Sequence, residues 1–159
     1  VAISSSTVES AANTFTQSRI SLDLSPLDNE VFVVVAIDIN PSFPDGVAGS
    51  DTATQACVST TSRTTMGFIE DSNVLASGST AIRGAGFADS GVGFTQTSLE
   101  TPPANLDYIG IIATNDFFLS LQGTGNIGAK TVGARVWGYR AKADANVFSA
   151  LVQSEVLSA

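Results

Sequence analysis

No histidine occurs among the 159 residues, and there is one cysteine, Cys57. A Ser-His-Asp triad, a Cys-His pair, an imidazole metal site and a thiolate cluster are therefore excluded. Whatever chemistry remains must come from carboxylates, glycines and a few basic residues. Glu70, Asp71, Asp107 and Asp116 could supply the paired acids that cleave a glycosidic bond. None is set among sugar-stacking aromatics, since the chain has one Trp and two Tyr. Asp38, Asn40 and Asp45, with Asp51 nearby, gather oxygen ligands of the type Ca²⁺ takes around one proline-rich stretch, at a spacing that matches no EF-hand. The plain alternative is a set of solvated residues at a strand end. Gly123-Thr-Gly-Asn-Ile-Gly128 matches the dinucleotide fingerprint letter for letter. That motif works only where the third glycine opens a helix whose N-terminus faces a pyrophosphate. Here Thr131 to Tyr139 alternate as a strand, so a glycine-rich turn is expected. These readings predict no catalytic residue, no metal and no cofactor, and hence not an enzyme.

Four of the seven basic residues, Lys130, Arg135, Arg140 and Lys142, lie in the last strand-like segment and its preceding turn, together with Trp137 and Tyr139. Arginine beside aromatic rings suits a protein interface, a solvated face paired with carboxylates, or a nucleic-acid stripe. Fifteen acidic residues against seven basic ones give a net charge of −8, which repels phosphate over most of the surface and argues against nucleic acid. Charged residues make up 14% of the chain and hydrophobic ones 43%, a balance that excludes disorder. It also leaves a Ser-, Thr- and Gly-rich surface poorly defended against association. Arg135, Trp137, Tyr139 and Arg140, joined by Phe148, Leu151 and Val152, are the candidate subunit interface.

The elements that must position these residues have a dominant period of two. Arg19 to Leu24 alternates, with Ile20, Leu22 and Leu24 apolar, and Ser25 to Asn29 is a turn. Glu30 to Ile39 is apolar on both faces, as a central strand is, with Val33, Val35 and Ile37 expected inward. Asn40 to Asp51 reads as a long loop. Thr52 to Thr61 and Thr64 to Ile69 read as strands, the second burying Met66 and Phe68. A short strand is expected at Thr80 to Arg83 and another at Val92 to Ser98. Leu106 to Ala113 and Phe117 to Gln122 are strands joined by Thr114-Asn115-Asp116, a link that fits a hairpin. Thr131 to Ala143 is the final strand. Beyond Asp144, a candidate N-cap, Val147, Phe148, Leu151, Val152 and Val156 fall at helical spacing. Near the start, Ser6-Thr-Val-Glu9 matches a capping box, although the residues after it are too weakly apolar for a helix. The expected core is Ile20, Leu22, Val33, Val35, Ile37, Phe68, Phe94, Ile109, Ile111, Leu119, Leu121 and Val136.

Eight strands without a βαβ rhythm predict an all-β fold, an eight-stranded two-sheet sandwich of jelly-roll type. Its expected parts are an N-terminal arm at 1–17, the sandwich at 18–143 and a C-terminal arm or short helix at 144–159. The longest apolar run, Val31 to Ile37, is well short of the roughly 18 to 20 residues that cross a bilayer, so no transmembrane segment is expected. The chain opens on Val1 rather than Met, which leaves open a segment removed before it.

This layout resembles the small viral single-jelly-roll capsid proteins: a Ser/Thr-rich start, short strands, glycine-rich corners and the long Thr131-Val-Gly-Ala-Arg-Val-Trp-Gly-Tyr-Arg-Ala-Lys-Ala143. The resemblance spans roughly Thr16 to Ala143 and implies a coat subunit of a virion that tiles a shell with copies of itself and with other shell proteins. The start of the chain departs from the family pattern in one respect. Val1 to Gln17 holds no basic residue and includes Glu9, so genome contact through that arm is not expected. A carbohydrate- or receptor-binding β-sandwich, a lectin-like or fibre domain that is secreted or extracellular, is the competing expectation.

Overall fold

The computed structural model describes residues 1–84, 94–98 and 107–157. Nine strands occur among them: β1 (Ala2–Val8), β2 (Thr16–Ser21), β3 (Glu30–Pro41), β4 (Thr52–Ser59), β5 (Val74–Arg83), β6 (Phe94–Ser98), β7 (Gly110–Ile112), β8 (Asp116–Thr124) and β9 (Thr131–Lys142). A helix, α1 (Ala145–Leu157), follows. The strands form two antiparallel sheets, ordered β1-β9-β3-β7 and β2-β8-β4-β5-β6.

The pairings β1 with β9, β2 with β8, β3 with β7 and β4 with β5 are nested inside one another. Such nesting is one long hairpin ribbon folded over, and the cross-pairs β3 with β9 and β4 with β8 then zip it into two sheets. That connectivity is the jelly roll. β6 is added on the edge beyond β5, so the count is nine strands rather than eight.

The core between the sheets is built from alternating residues of both. Leu22, Leu24, Phe32, Val34, Ala56, Val58, Ile112, Phe117, Leu119, Leu121, Val132 and Val136 form it, with Ile20, Ile37 and Ile109 packed against it. The register of β3 departs from simple alternation. A bulge between Val34 and Ala36 inserts one extra residue, which reverses the facing of everything after it. Phe32 and Val34 face inward before the bulge and Ile37 and Ile39 after it, while Val35 is exposed and Val33 is buried outside the main cluster. On β7 it is Ile112 that is fully buried, and Ile111, paired with Val33, is half-buried. Gly138 lies where β9 crosses Phe32, and a Cβ there would fall on the Val33 carbonyl oxygen and within 2.6 Å of the Phe32 ring. Only glycine permits that approach.

Three further expectations are corrected. Ala2–Val8, expected as an arm, is an edge strand, because Ile3 and Thr7 give it one inward face and the outer face needs no apolar cover. Thr64 to Ile69 is not a strand but part of a loop laid over the second sheet, with Met66 buried on Cys57 and Val74 and with Phe68 exposed. Thr114-Asn115-Asp116 joins no hairpin: β7 and β8 belong to different sheets, and the link crosses the roughly 10 Å between them. The Val92 end of the sixth segment, the Leu106 end of the seventh and the Phe94 side chain lie outside the described residues.

Candidate functional site

The outer face of the first sheet carries the aromatic and arginine residues. On β9, Val132, Val136 and Gly138 are buried, and the alternate positions Arg135, Trp137 and Tyr139 are exposed. Arg135 holds its guanidinium 5.8 Å from the Trp137 ring centroid, a cation–π distance, and donates through Nε to Ser4 Oγ at 3.0 Å. Across the ladder it sits opposite Asp38, and Trp137 sits opposite Ala36. On the other side the same two residues oppose Ser4 and Ala2 of β1. The result is one Trp-Arg pair surrounded by small and polar residues, in a shallow depression of about 300 Å³ lined by Ser4, Asp38, Asn40, Arg135 and Trp137 among others. The bulge at Val35 lets β3 bury four large side chains and still turn Asp38 and Asn40 out to this face.

Arg140 does not belong to that face. It shares the inward parity of Val136 and Gly138 and reaches across the open end of the sandwich. Its Nη1 donates to the Asp23 carbonyl at 2.9 Å and to Glu30 Oε1 at 3.0 Å, and its Nη2 donates to the Leu22 carbonyl at 2.7 Å. It ties the β2–β3 connection to β9. Phe148, Leu151 and Val152 lie on α1, all half-buried. The Asp144 carboxylate caps this helix by accepting the Val147 N–H at 2.8 Å, as its spacing predicted. The helix is anchored at its other end by Glu155, which is 8% exposed. That carboxylate accepts the Ala113 N–H and the Thr114 hydroxyl, each at 2.6 Å, and the Thr114 N–H at 3.2 Å. Sequence reasoning misses Glu155, although it stands four residues after Leu151 and three after Val152, so the signal was a carboxylate placed on the apolar face of the helix.

The opposite end of the sandwich is laced by polar side chains. Glu9 is 4% exposed and accepts the N–H groups of Thr14 at 3.0 Å, Gly123 at 2.9 Å and Lys130 at 2.8 Å. Asn13 exchanges two bonds with the Asn126 backbone, and the Asn126 side chain accepts the Asp45 N–H and donates to the Ala53 carbonyl. Asp45 accepts the N–H groups of Ile127 and Gly128 and the Lys130 ammonium at 2.6 Å. The glycine-rich segment is thus a turn between β8 and β9 with no helix behind it. Three of its N–H groups, the kind a phosphate would need, already hold carboxylates, Gly123 that of Glu9 and Ile127 and Gly128 that of Asp45. The same bonds occupy Asp45, and Asp38 faces Arg135 on the sheet. Among the described residues no cluster of three Cys, Asp or Glu could hold a metal ion. Asp116 pairs with Arg19 and Asp71 with Arg63, so neither stands free as an acid.

Lys130, backed by the N–H groups of Gly128 and Ile127, lowers the Asp45 pKa from 3.8 to about 2. A pKa depressed by folding stabilises the fold above the unfolded value, and that stability is lost as pH falls through the folded value. The difference in Tm between the wild type and Asp45→Asn is accordingly expected to be present at about pH 5 and to close toward pH 2. A difference that stays constant across that range would show that the carboxylate charge is not its source.

On this hydrogen-bonded frame Phe43 is 78% exposed and Ile127 79%. At the other end Leu27 is 96% exposed and Leu157 83%, with Val147 and Val156 also open to solvent. No protein-family model, curated protein or solved structure matches this chain.

Proposed function

We propose that this protein is a structural subunit that assembles with copies of itself into a closed shell of the viral-capsid kind, and that it works in the virion. The observation that supports the reading is the placement of large apolar side chains at both ends of β3 and β9. Phe43 and Ile127 stand at the Pro41 end, and Leu27, Val147, Val156 and Leu157 stand at the Glu30 end. Hydrogen bonds from Asp45 and Asn126 hold the first pair's loops, so their exposure is built into the fold. Two unlike apolar ends on one rigid body make head-to-tail contacts, and such contacts propagate into rings, shells or filaments.

Light scattering behind size exclusion, followed by electron microscopy of any large peak, tests the reading. Large particles are expected from the wild type and only small species from the double variant Phe43→Ser, Ile127→Ser. A wild type that stays monomeric at every concentration would overturn it. Salt gives a second readout. Chains of net charge −8 approach one another against mutual repulsion. Assembly should strengthen as ionic strength rises toward physiological values and above. Weakening would instead assign the contacts to charge pairs between subunits.

A second reading, a glycan-binding module, is favoured by the depression around Trp137, where an aromatic ring lies beside Asp38 and Asn40. It predicts a monomer that binds an oligosaccharide in titration calorimetry and loses that binding on Trp137→Ala.

A further inference from the structure

Among the described residues the first sheet ends at β1, with no strand beyond it. The Gly138 N–H donates to the Val1 carbonyl and the Glu9 N–H to the Lys130 carbonyl. In an antiparallel ladder peptide groups alternate in direction, so the odd-numbered residues of β1 bond to β9. The N–H and C=O groups of Ala2, Ser4, Ser6 and Val8 point away from it, where the sheet order of the described residues has no further strand. Sheet edges are ordinarily shielded by charge, proline or shortness. β7 is three residues long, and β2 carries Arg19 paired with Asp116. β1 is seven residues long and contains no charged residue and no proline.

We infer that β1 is a strand-addition site whose partner is β1 of a second copy, so that the first sheet runs on across a two-fold axis. The inference rests on the self-assembly reading above and names one of its contacts. Charge favours a second copy as the occupant. Chains with a net charge of −8 repel wherever carboxylates meet, and along β1 they can meet with none between Ala2 and Val8. Size favours it as well. The outward side chains Ala2, Ser4, Ser6 and Val8 are small, and one antiparallel register uses the whole strand. Ala2 lies opposite the partner's Val8 and Ser4 opposite the partner's Ser6, each pair exchanging two N–H···O=C bonds. Ser5 then meets the partner's Ser5 at the axis as a non-hydrogen-bonded pair, the closer of the two kinds. A two-fold contact of this sort is isologous. Combined with the unlike apolar ends, it gives a lattice both of the contact types it needs.

Two substitutions test the contact. Ser6→Pro removes an N–H that points outward and leaves the bonds to β9 intact, which an edge strand tolerates. It is expected to keep the wild-type circular dichroism spectrum while weakening subunit association at least about tenfold, or 1.4 kcal/mol. Ser6→Lys, which adds a charge at an exposed position, should do the same, and it serves should the proline variant fail to fold. Ser5→Cys is expected to give a disulfide-linked dimer on mild oxidation of the assembled protein, with far less from Val8→Cys, whose opposite residue is the partner's Ala2. Cys57 is fully buried and does not compete. If the wild type assembles, yet both Ser6 variants assemble equally well and Ser5→Cys does not cross-link, the β1 contact is wrong and the shell reading stands. A wild type that never assembles removes both.

Discussion

Replacing Glu9 by alanine should lower the unfolding free energy by about 3 kcal/mol or more, read as a fall in the urea midpoint at unchanged slope. One carboxylate accepts the backbone N–H groups of Thr14, Gly123 and Lys130, which come from the β1–β2 loop, the end of β8 and the approach to β9. A buried donor left unpaired costs about 1 to 3 kcal/mol, and of the three released together here the Gly123 bond is buried and those of Thr14 and Lys130 are partly buried. Water can recover part of that only if it enters. Against a total stability of about 5 to 15 kcal/mol, the loss is large for a residue outside the apolar core. Glu9→Gln keeps one acceptor oxygen and turns an NH₂ toward donors, so it should fall between. If Glu9→Ala unfolds at the wild-type midpoint, the loop end is held by Asp45, Asn13 and Asn126 alone.

The same residue shows where sequence reasoning stops. Ser6-Thr-Val-Glu9 has the letters of a helix cap, yet Glu9 accepts N–H groups as distant as Gly123 and Lys130. No local rule encodes that partnership. The two-sheet class, the inward faces of β2 and β9 and the Asp144 cap were legible because each follows from side-chain alternation or spacing within a few residues. Position 35 was not. A bulge is a property of two paired strands, and the run from Val31 to Ile39 is apolar enough on both faces to fit either register. β1 was missed for the opposite reason, since Ser4-Ser5-Ser6 has little apolar alternation and its strand is defined by β9 beside it. Of the candidate interface, Arg135, Trp137 and Tyr139 share one face as their spacing implies. Arg140 has the opposite parity, so its grouping with them by composition failed. Glu155 is a buried anchor on the same face of α1 as Phe148, Leu151 and Val152, where helical spacing puts it; a charged side chain hid it from a search for apolar periodicity.

Deleting Asn146 to Ala159 should leave a folded β domain that no longer forms large particles. The fold should survive because the inter-sheet cluster contains no residue of α1. It will not be untouched, however: Glu155 leaves with the helix, and the Ala113 and Thr114 N–H groups lose their acceptor. A loss of about 1 to 3 kcal/mol is expected from those donors, visible as a lower Tm with the β-type spectrum retained. Assembly should fail for a different reason, because the deletion also removes Val147, Val156 and Leu157, three of the four exposed apolar residues at that end. Glu155→Ala separates the two effects. It removes the anchor and keeps the apolar residues, so a variant of lowered Tm that still forms particles would show that the apolar end, rather than stability, limits assembly. If the truncated chain assembles as the wild type does, α1 is a cover for its own sandwich. The shell contacts would then have to run through β1, the end that carries Phe43 and Ile127, and the face that carries Arg135, Trp137 and Tyr139.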